Sequence, residues 1–338
     1  MGVGYMYNRR IGLVPLLIVA ILATLVPALP VGAQGGENWC EGVHIRFFVG
    51  GAEGDAFASI ILRGAQQAEA DLGPTVDYIF SAWDAERIVQ QLREAIIVQP
   101  DAIVYNPFAS DEAIMPLAEE AFDAGIIMEY VIVDAPLVRA RFGGGLIAAD
   151  NAGMGRSLAE GAIRKFGLEA GDKVIVFGPW SEAVEGRILK EEATVQTLEE
   201  AGIEVIRGTT NAQIATDPQL LLPTHTALML DNPDAKMVVY PGGPILNFAP
   251  VYLQEAGLEP GDITAIGFDL PEDMQGFEDG WVQMTVDQQP YMAGYMSVLS
   301  VCGTAVYKLQ PLVIDTGAGL VDTDNFRDVV ELVGLGIR

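Results

Sequence analysis

Short apolar runs and longer amphipathic segments alternate along most of this chain. His44 to Val49 (HIRFFV) reads as a buried strand, and Ala56 to Leu72 carries apolar residues at helical spacing up to a Gly73-Pro74 stop. The same alternation predicts strands at 76–80, 102–105, 126–133 and 146–149, with helices at 85–98, 111–124 and 152–166. It continues with strands at 173–177, 203–206, 237–240, 263–268 and 282–286. Helices are expected at 182–201, 218–230, 246–256 and 291–309. Fully apolar strands alternating with helices mean parallel sheets covered on both faces. So many strands exceed one small open sheet, so two α/β domains are expected.

The apolar start of the chain has a different meaning. Asn8-Arg9-Arg10 is a short basic segment, Ile11 to Leu29 is apolar apart from Thr24, and Pro30-Val31-Gly32-Ala33 offers a small-residue exit. This is the three-part layout of a secretory signal peptide over residues 1–33, with an uncleaved membrane anchor as the alternative. Cleavage after Ala33 removes two arginines and no acid. Export also opens the question of a disulfide between Cys40 and Cys302, the two cysteines of the chain.

Lys and Arg number 19 against 46 Asp and Glu, a formal net charge of −27. That charge argues against a nucleic-acid partner, whose phosphates it would repel. With 50% hydrophobic residues the chain is no disordered acidic tail. The shortage is of bases, with five lysines in all. Enzyme signatures are missing: His44 lies in a predicted strand and His225 in a predicted helix, and neither a nucleophile elbow, a phosphate loop nor a zinc spacing is present. No catalytic residue, metal or cofactor is expected.

In doubly wound sheets ligands sit at the carboxyl ends of strands. There this chain places Asp55 and Phe57, Asn106, Asp134, Trp180 with Arg187 further on, Asp269, and Gln288. Carboxylates, amides and a guanidinium mixed with aromatic rings suit a polyhydroxylated ligand. Each hydroxyl both donates and accepts, and rings cover the C–H faces.

Several pieces, in this order, resemble one family: Asp55-Ala56-Phe57 with Arg63-Gly64-Ala65, Asp101 to Pro107 (DAIVYNP), Asp150-Asn151 with Gly155, Ile266 to Asp269 (IGFD), and Thr285 to Tyr291 (TVDQQPY) with Gly294-Tyr295. The chain resembles the ribose-type periplasmic sugar-binding proteins of ABC importers, over roughly Val43 to Asp315. The resemblance implies a Venus flytrap: two doubly wound parallel-sheet lobes joined by a hinge of three crossings, near Asp150, Gln288 and Ala318. The first lobe is then 42–149 plus 289–318, and the second is 150–288 plus 319–338. Cys40 and Cys302 both fall to the first lobe, which favours their bridging.

The resemblance also implies roles. Phe57 stacks on the sugar beside Asp55, Asn106 bonds a hydroxyl, and Arg187, Asp269 and Gln288 contact ring and hydroxyl oxygens. Asp134 is a weaker match, because the stretch from Ile126 to Gly145 is long for the family. Pro241-Gly242-Gly243-Pro244 stands where the family places Asn or Asp, so one ligand contact is missing or is replaced by Asn247 or Trp180. The implied protein is an exported monomer that captures a sugar or polyol by hinge closure and hands it to a membrane permease. A sensory receptor on the same fold is the alternative. A repressor would need a basic helix-turn-helix where the apolar start lies, and an exported enzyme lacks a catalytic set.

Overall fold

The computed structural model describes residues 1–2, 38–181, 188–317 and 319–338. By packing, the chain divides into Met1–Gly36 and Glu37–Arg338, and the elements below all belong to the second unit. The expected signal sequence lies outside the described residues apart from its first two positions.

The first half runs β1 (His44–Gly50), α1 (Ala56–Leu72), β2 (Thr75–Phe80), α2 (Ala85–Ile97), β3 (Ala102–Tyr105), α3 (Asp111–Asp123), β4 (Ile127–Val131), α4 (Pro136–Phe142) and β5 (Gly145–Ala148). Next come α5 (Asn151–Phe166), β6 (Lys173–Gly178), α6 (Leu189–Glu200), β7 (Glu204–Thr209), α7 (Ala212–Thr216), α8 (Leu222–Asp231), β8 (Ala235–Tyr240), α9 (Gly243–Asn247), α10 (Ala249–Glu255) and β9 (Thr264–Phe268). The chain closes with α11 (Gln275–Glu278), β10 (Met284–Asp287), α12 (Pro290–Tyr307), β11 (Val313–Asp315), β12 (Gly319–Asp322) and α13 (Val330–Gly334).

Two six-stranded sheets result, ordered β11-β5-β4-β3-β1-β2 and β12-β10-β9-β8-β6-β7. Each takes five consecutive strands in the doubly wound order 2-1-3-4-5 and a sixth from the end of the chain. Pairing is parallel throughout except at β12, which runs antiparallel to β10 with Met284 opposite Asp322. The all-parallel expectation is therefore corrected at one edge. Apolar strands explain the layering: β3 and β6 are almost wholly buried, as is β8 from Met237 onward.

Local chemistry sets the element ends. Asp55 caps α1 by accepting from the Ala58 N–H at 2.8 Å, and Asp84 caps α2 through Arg87 N–H at 2.8 Å. Gly73, at φ +85°, ends α1 in the left-handed conformation that the Gly73-Pro74 stop predicts. Other boundaries moved. The helix expected over 182–201 begins only at Leu189 as far as the described residues show, with Ile188 as its cap. The helix expected over 246–256 is split at Phe248, with prolines near the start of α9 and of α10. The strand expected to reach Val133 stops at Val131, because Ile132 turns to φ +67°. The short α4, absent from the sequence reading, fills part of the long stretch after β4.

Close helix packing explains two of the glycine motifs. A Cβ on Gly64 of α1 would sit 2.0 Å from the Tyr291 carbonyl oxygen, and one on Gly294 of α12 would sit 2.1 Å from that of Ile61. The two helices touch backbone to backbone at this glycine pair. Cys40, in the turn before β1, is disulfide-bonded to Cys302 of α12, and both are fully buried. Among the described residues no helix is long and apolar enough to cross a membrane.

Candidate ligand site

The carboxyl ends of the parallel strands from both sheets surround a cavity of about 530 Å³. The first sheet contributes Asp55 and Phe57 after β1, Trp83 after β2, Phe108 after β3, Ile132 and Val133 after β4, and Asn151 after β5. The second contributes Pro179 after β6, Thr210 and Asn211 after β7, Pro241 and Gly242 after β8, Asp269 after β9 and Gln288 after β10. Lys190 and Glu191, in the first turn of α6, complete the wall on that side. Ten loops thus converge on one space of ordinary ligand-site size, roughly 300–1,000 Å³.

Aromatic rings make the first sheet's wall. Trp83 lies between Phe57, 6.1 Å away between ring centroids, and Phe108 at 4.9 Å, with planes tilted by 47° and 56°. The Trp83 indole N–H donates to Asp55 Oδ2 at 3.0 Å. Trp83 and its neighbour Ala82 both hold positive φ, at 57° and 53°, so the loop after β2 is held in an uncommon conformation. Gly50 makes room for it. At φ +100°, a Cβ there would sit 2.3 Å from the indole and 2.7 Å from Asn106 Nδ2. Asn106 is fully buried, and its amide oxygen and nitrogen have no hydrogen-bond partner.

Polar side chains make the other wall. Asp269, at φ +66° and 9% exposed, accepts on Oδ1 from the Gln288 amide N–H at 2.5 Å. Its carbonyl accepts from the Thr285 hydroxyl at 2.6 Å, which holds the loop against β10. Glu191 is 4% exposed and its Oε2 has no hydrogen-bond partner. Burial pushes its carboxyl above the usual carboxylate range, opposed chiefly by the Lys190 ammonium, 4.0 Å from Oε1. Burial likewise raises Asp287, against the Gln289 backbone N–H and Arg338, whose guanidinium lies 3.0 Å from Oδ2.

Of the residues expected from sequence, Asp55, Phe57, Asp269 and Gln288 come together on the cavity wall. Asn106 lies beside Trp83 rather than on that wall. Asp134 does not reach the wall. Arg139 of α4 donates to both its oxygens at 2.9 and 3.0 Å. Trp180 packs on the second sheet with the Arg207 guanidinium 5.1 Å over its ring, its indole N–H buried and unpartnered. Arg187 lies outside the described residues. Asn247 lines a neighbouring cavity of about 390 Å³ instead.

Trp83, Phe108, Lys190 and Glu191 were missed. Trp83 follows a strand just as Asp55 and Asn106 do, so the strand-end rule pointed to it. Lys190 and Glu191 were hidden by the helix start, since a helix from 182 places them mid-helix and one from Leu189 puts them in its first turn. Both histidines lie away from the cavity. His44 bonds Asp77 at 2.8 Å on the β1–β2 edge. His225 sits in a buried ring stack, 2.8 Å from the Tyr240 hydroxyl, where burial lowers it to about 4.

Two doubly wound sheets with one cavity at their facing strand ends define a two-lobed solute-binding fold. The family model for a periplasmic binding protein domain matches residues 46–303, and the chain belongs to that family. An 85-residue stretch, 22% of the chain, is 36% identical to the xylose/arabinose-binding protein XylF of Sulfolobus acidocaldarius and spans 20% of that protein's length. Among solved structures, a carbohydrate transporter from Acidothermus cellulolyticus 11B in complex with myo-inositol superposes with a TM-score of 0.74 at 21% identity, covering 88% of this chain and 99% of that one. An ABC transporter solute-binding protein from Agrobacterium vitis with bound D-fucose does so with a TM-score of 0.74 at 21% identity, covering 84% and 96%. At these identities the two structures establish the shared fold.

Proposed function

We propose that this protein is an exported receptor that captures a sugar or polyol between its two sheets and delivers it to the permease of an ABC importer. One observation carries the reading: an aromatic wall on one sheet faces a wall of carboxylates and amides on the other, across the 530 Å³ cavity. Phe57 and Trp83 cover the apolar face of the ring, and Asp269, Gln288 and Asn211 exchange hydrogen bonds with hydroxyls. The bound molecules of the two structural relatives and the name of the XylF relative point to the same ligand class.

Capture works by hinge closure. β5 lies in the first sheet and β6 in the second, β10 in the second while α12 packs on the first, and β11 in the first while β12 joins the second. This strand order supports crossings between the lobes near 150 and 288 and a third between β11 and β12. A ligand favours the closed form because only there do both walls touch it. In this reading the lobes are 42–149 plus 289–318 and 150–288 plus 319–338, residues 1–33 direct export, and the receptor acts as a monomer without chemistry of its own.

The test is a melting panel of pentoses, hexoses, polyols and their amino derivatives. A ligand at 100 times its dissociation constant adds about 2.7 kcal/mol to stability. At least one compound is expected to raise the melting temperature. A flat panel contradicts the sugar reading.

A further inference from the structure

We propose that the cleft selects a sugar or polyol that carries a protonated amine, and that Glu191 is the residue that reads this charge. The inference rests on the sugar reading above and narrows it.

Three features converge on it. The described residues that line the cavity include five carboxylates, those of Asp55, Asp84, Glu86, Glu191 and Asp269, against one ammonium, that of Lys190. Among the described residues that lining carries a net negative charge, with Asp84 and Glu86 solvent-exposed and Glu191 and Asp269 buried. A neutral sugar gains nothing from that charge, while a cation does.

Glu191 supplies the specific partner. The residue is 4% exposed, and Oε2 has no hydrogen-bond partner. Among the described residues the cation paired with it is half committed elsewhere. Lys190 Nζ stands 4.0 Å from the other oxygen, Oε1, and 4.9 Å over the centre of the Phe268 ring. A buried carboxylate with an open oxygen is costly unless it is neutralised or paired. Burial does raise its proton affinity, and a ligand ammonium is a partner that would hold it ionised.

The opposite wall suits a cation as well. Phe57, Trp83 and Phe108 are tilted against one another, forming a cup rather than a flat platform. Ring faces attract cations, and indole does so best. Asp55 strengthens this, because a carboxylate accepting from the indole N–H at 3.0 Å leaves more electron density on the ring.

The test is titration calorimetry on the native protein at about pH 6.5, where sugar amines are protonated. Matched pairs are compared: D-glucosamine with D-glucose, D-galactosamine with D-galactose, and glucamine with sorbitol. N-acetyl-D-glucosamine serves as the form whose charge has been removed. In at least one pair the amine is expected to bind about tenfold tighter or better, as a close charge pair can supply. Glu191→Gln is expected to bring that preference below about twofold, whatever it does to the neutral partner's affinity. If that variant fails to fold, the preference for glucosamine over its N-acetyl form on the native protein decides. Neutral members binding as tightly as their amines in every pair would overturn the inference and leave the sugar reading standing. An amine preference that survives in a folded Glu191→Gln would remove Glu191 from the role. Binding by no member of any pair would sink the sugar reading itself.

Discussion

The indole N–H of Trp83 donates to Asp55 Oδ2 at 3.0 Å, and Asp55 Oδ1 accepts at the same time from the backbone N–H of Ala58. One carboxylate thus caps α1 and orients the central ring of the aromatic wall. The two tasks separate by mutation. Asp55→Asn keeps a cap and loses the charge that holds the indole, so it should cost little stability and weaken ligand binding. Trp83→Ala should cost about 1–3 kcal/mol of binding free energy, an aromatic contact together with its buried area. Calorimetry and thermal melting, run side by side, check both.

Gln288 and Asp269 form a second coupled pair, with the amide N–H on Oδ1 at 2.5 Å. Gln288→Ala removes a wall residue and also frees the Asp269 carboxylate to turn. A double-mutant cycle with Asp269→Ala is expected to be non-additive, the double variant costing less than the two single losses summed. Strict additivity in the measured dissociation constants would separate the two residues.

The Cys40–Cys302 disulfide spans 262 residues of sequence. It pins the turn before β1 to α12, far from the cavity wall. Replacing both cysteines by alanine should lower stability by up to about 5 kcal/mol through the freed unfolded chain. Ligand affinity measured below the melting point should stay the same. Reduction of the native protein should reproduce the drop in melting temperature.

Glu129 of β4 gives a pH dependence with a definite sign. It is fully buried, and burial raises its carboxyl to about 8, with the Ser300 hydroxyl, which donates to Oε2 at 2.5 Å, and the Arg139 charge opposing. The folded protein therefore holds this proton well above 4.5, the ordinary value at which the unfolded chain loses it. The contribution to stability is full below about 4.5 and is lost as pH rises through about 8. Glu129→Gln should melt higher than the native protein above about pH 8, by about 2–4 °C for each kcal/mol released, and show little difference near pH 5. Melting curves across that range check it.

The alternation of apolar strands and amphipathic helices carried the fold, because burial on both faces leaves a plain signal in each strand. The two late edge strands escaped it. β11 and β12 are three and four residues long and mostly polar or exposed, so no apolar run marks them, and pairing with a distant strand alone makes them strands. Half of the site was legible through one rule, that loops after parallel strands face the ligand. Asp55, Phe57, Asp269 and Gln288 came from it. Asp134 obeyed the same rule and is turned to Arg139, since α4, which supplies that partner, left no clear period in so short a helix. Lys190 and Glu191 were out of reach because their role depends on where α6 starts, and helix ends are the least marked feature of a sequence.

The account rests on a ligand held by both walls at once. The most direct measurement is titration calorimetry of the compound with the largest melting shift, on the native protein and on one variant from each wall, Phe57→Ala and Asp269→Ala. Capture between the sheets predicts that each variant loses about tenfold or more in affinity while remaining folded. A compound that binds Asp269→Ala or Phe57→Ala as tightly as it binds the native protein would contradict two-sided capture.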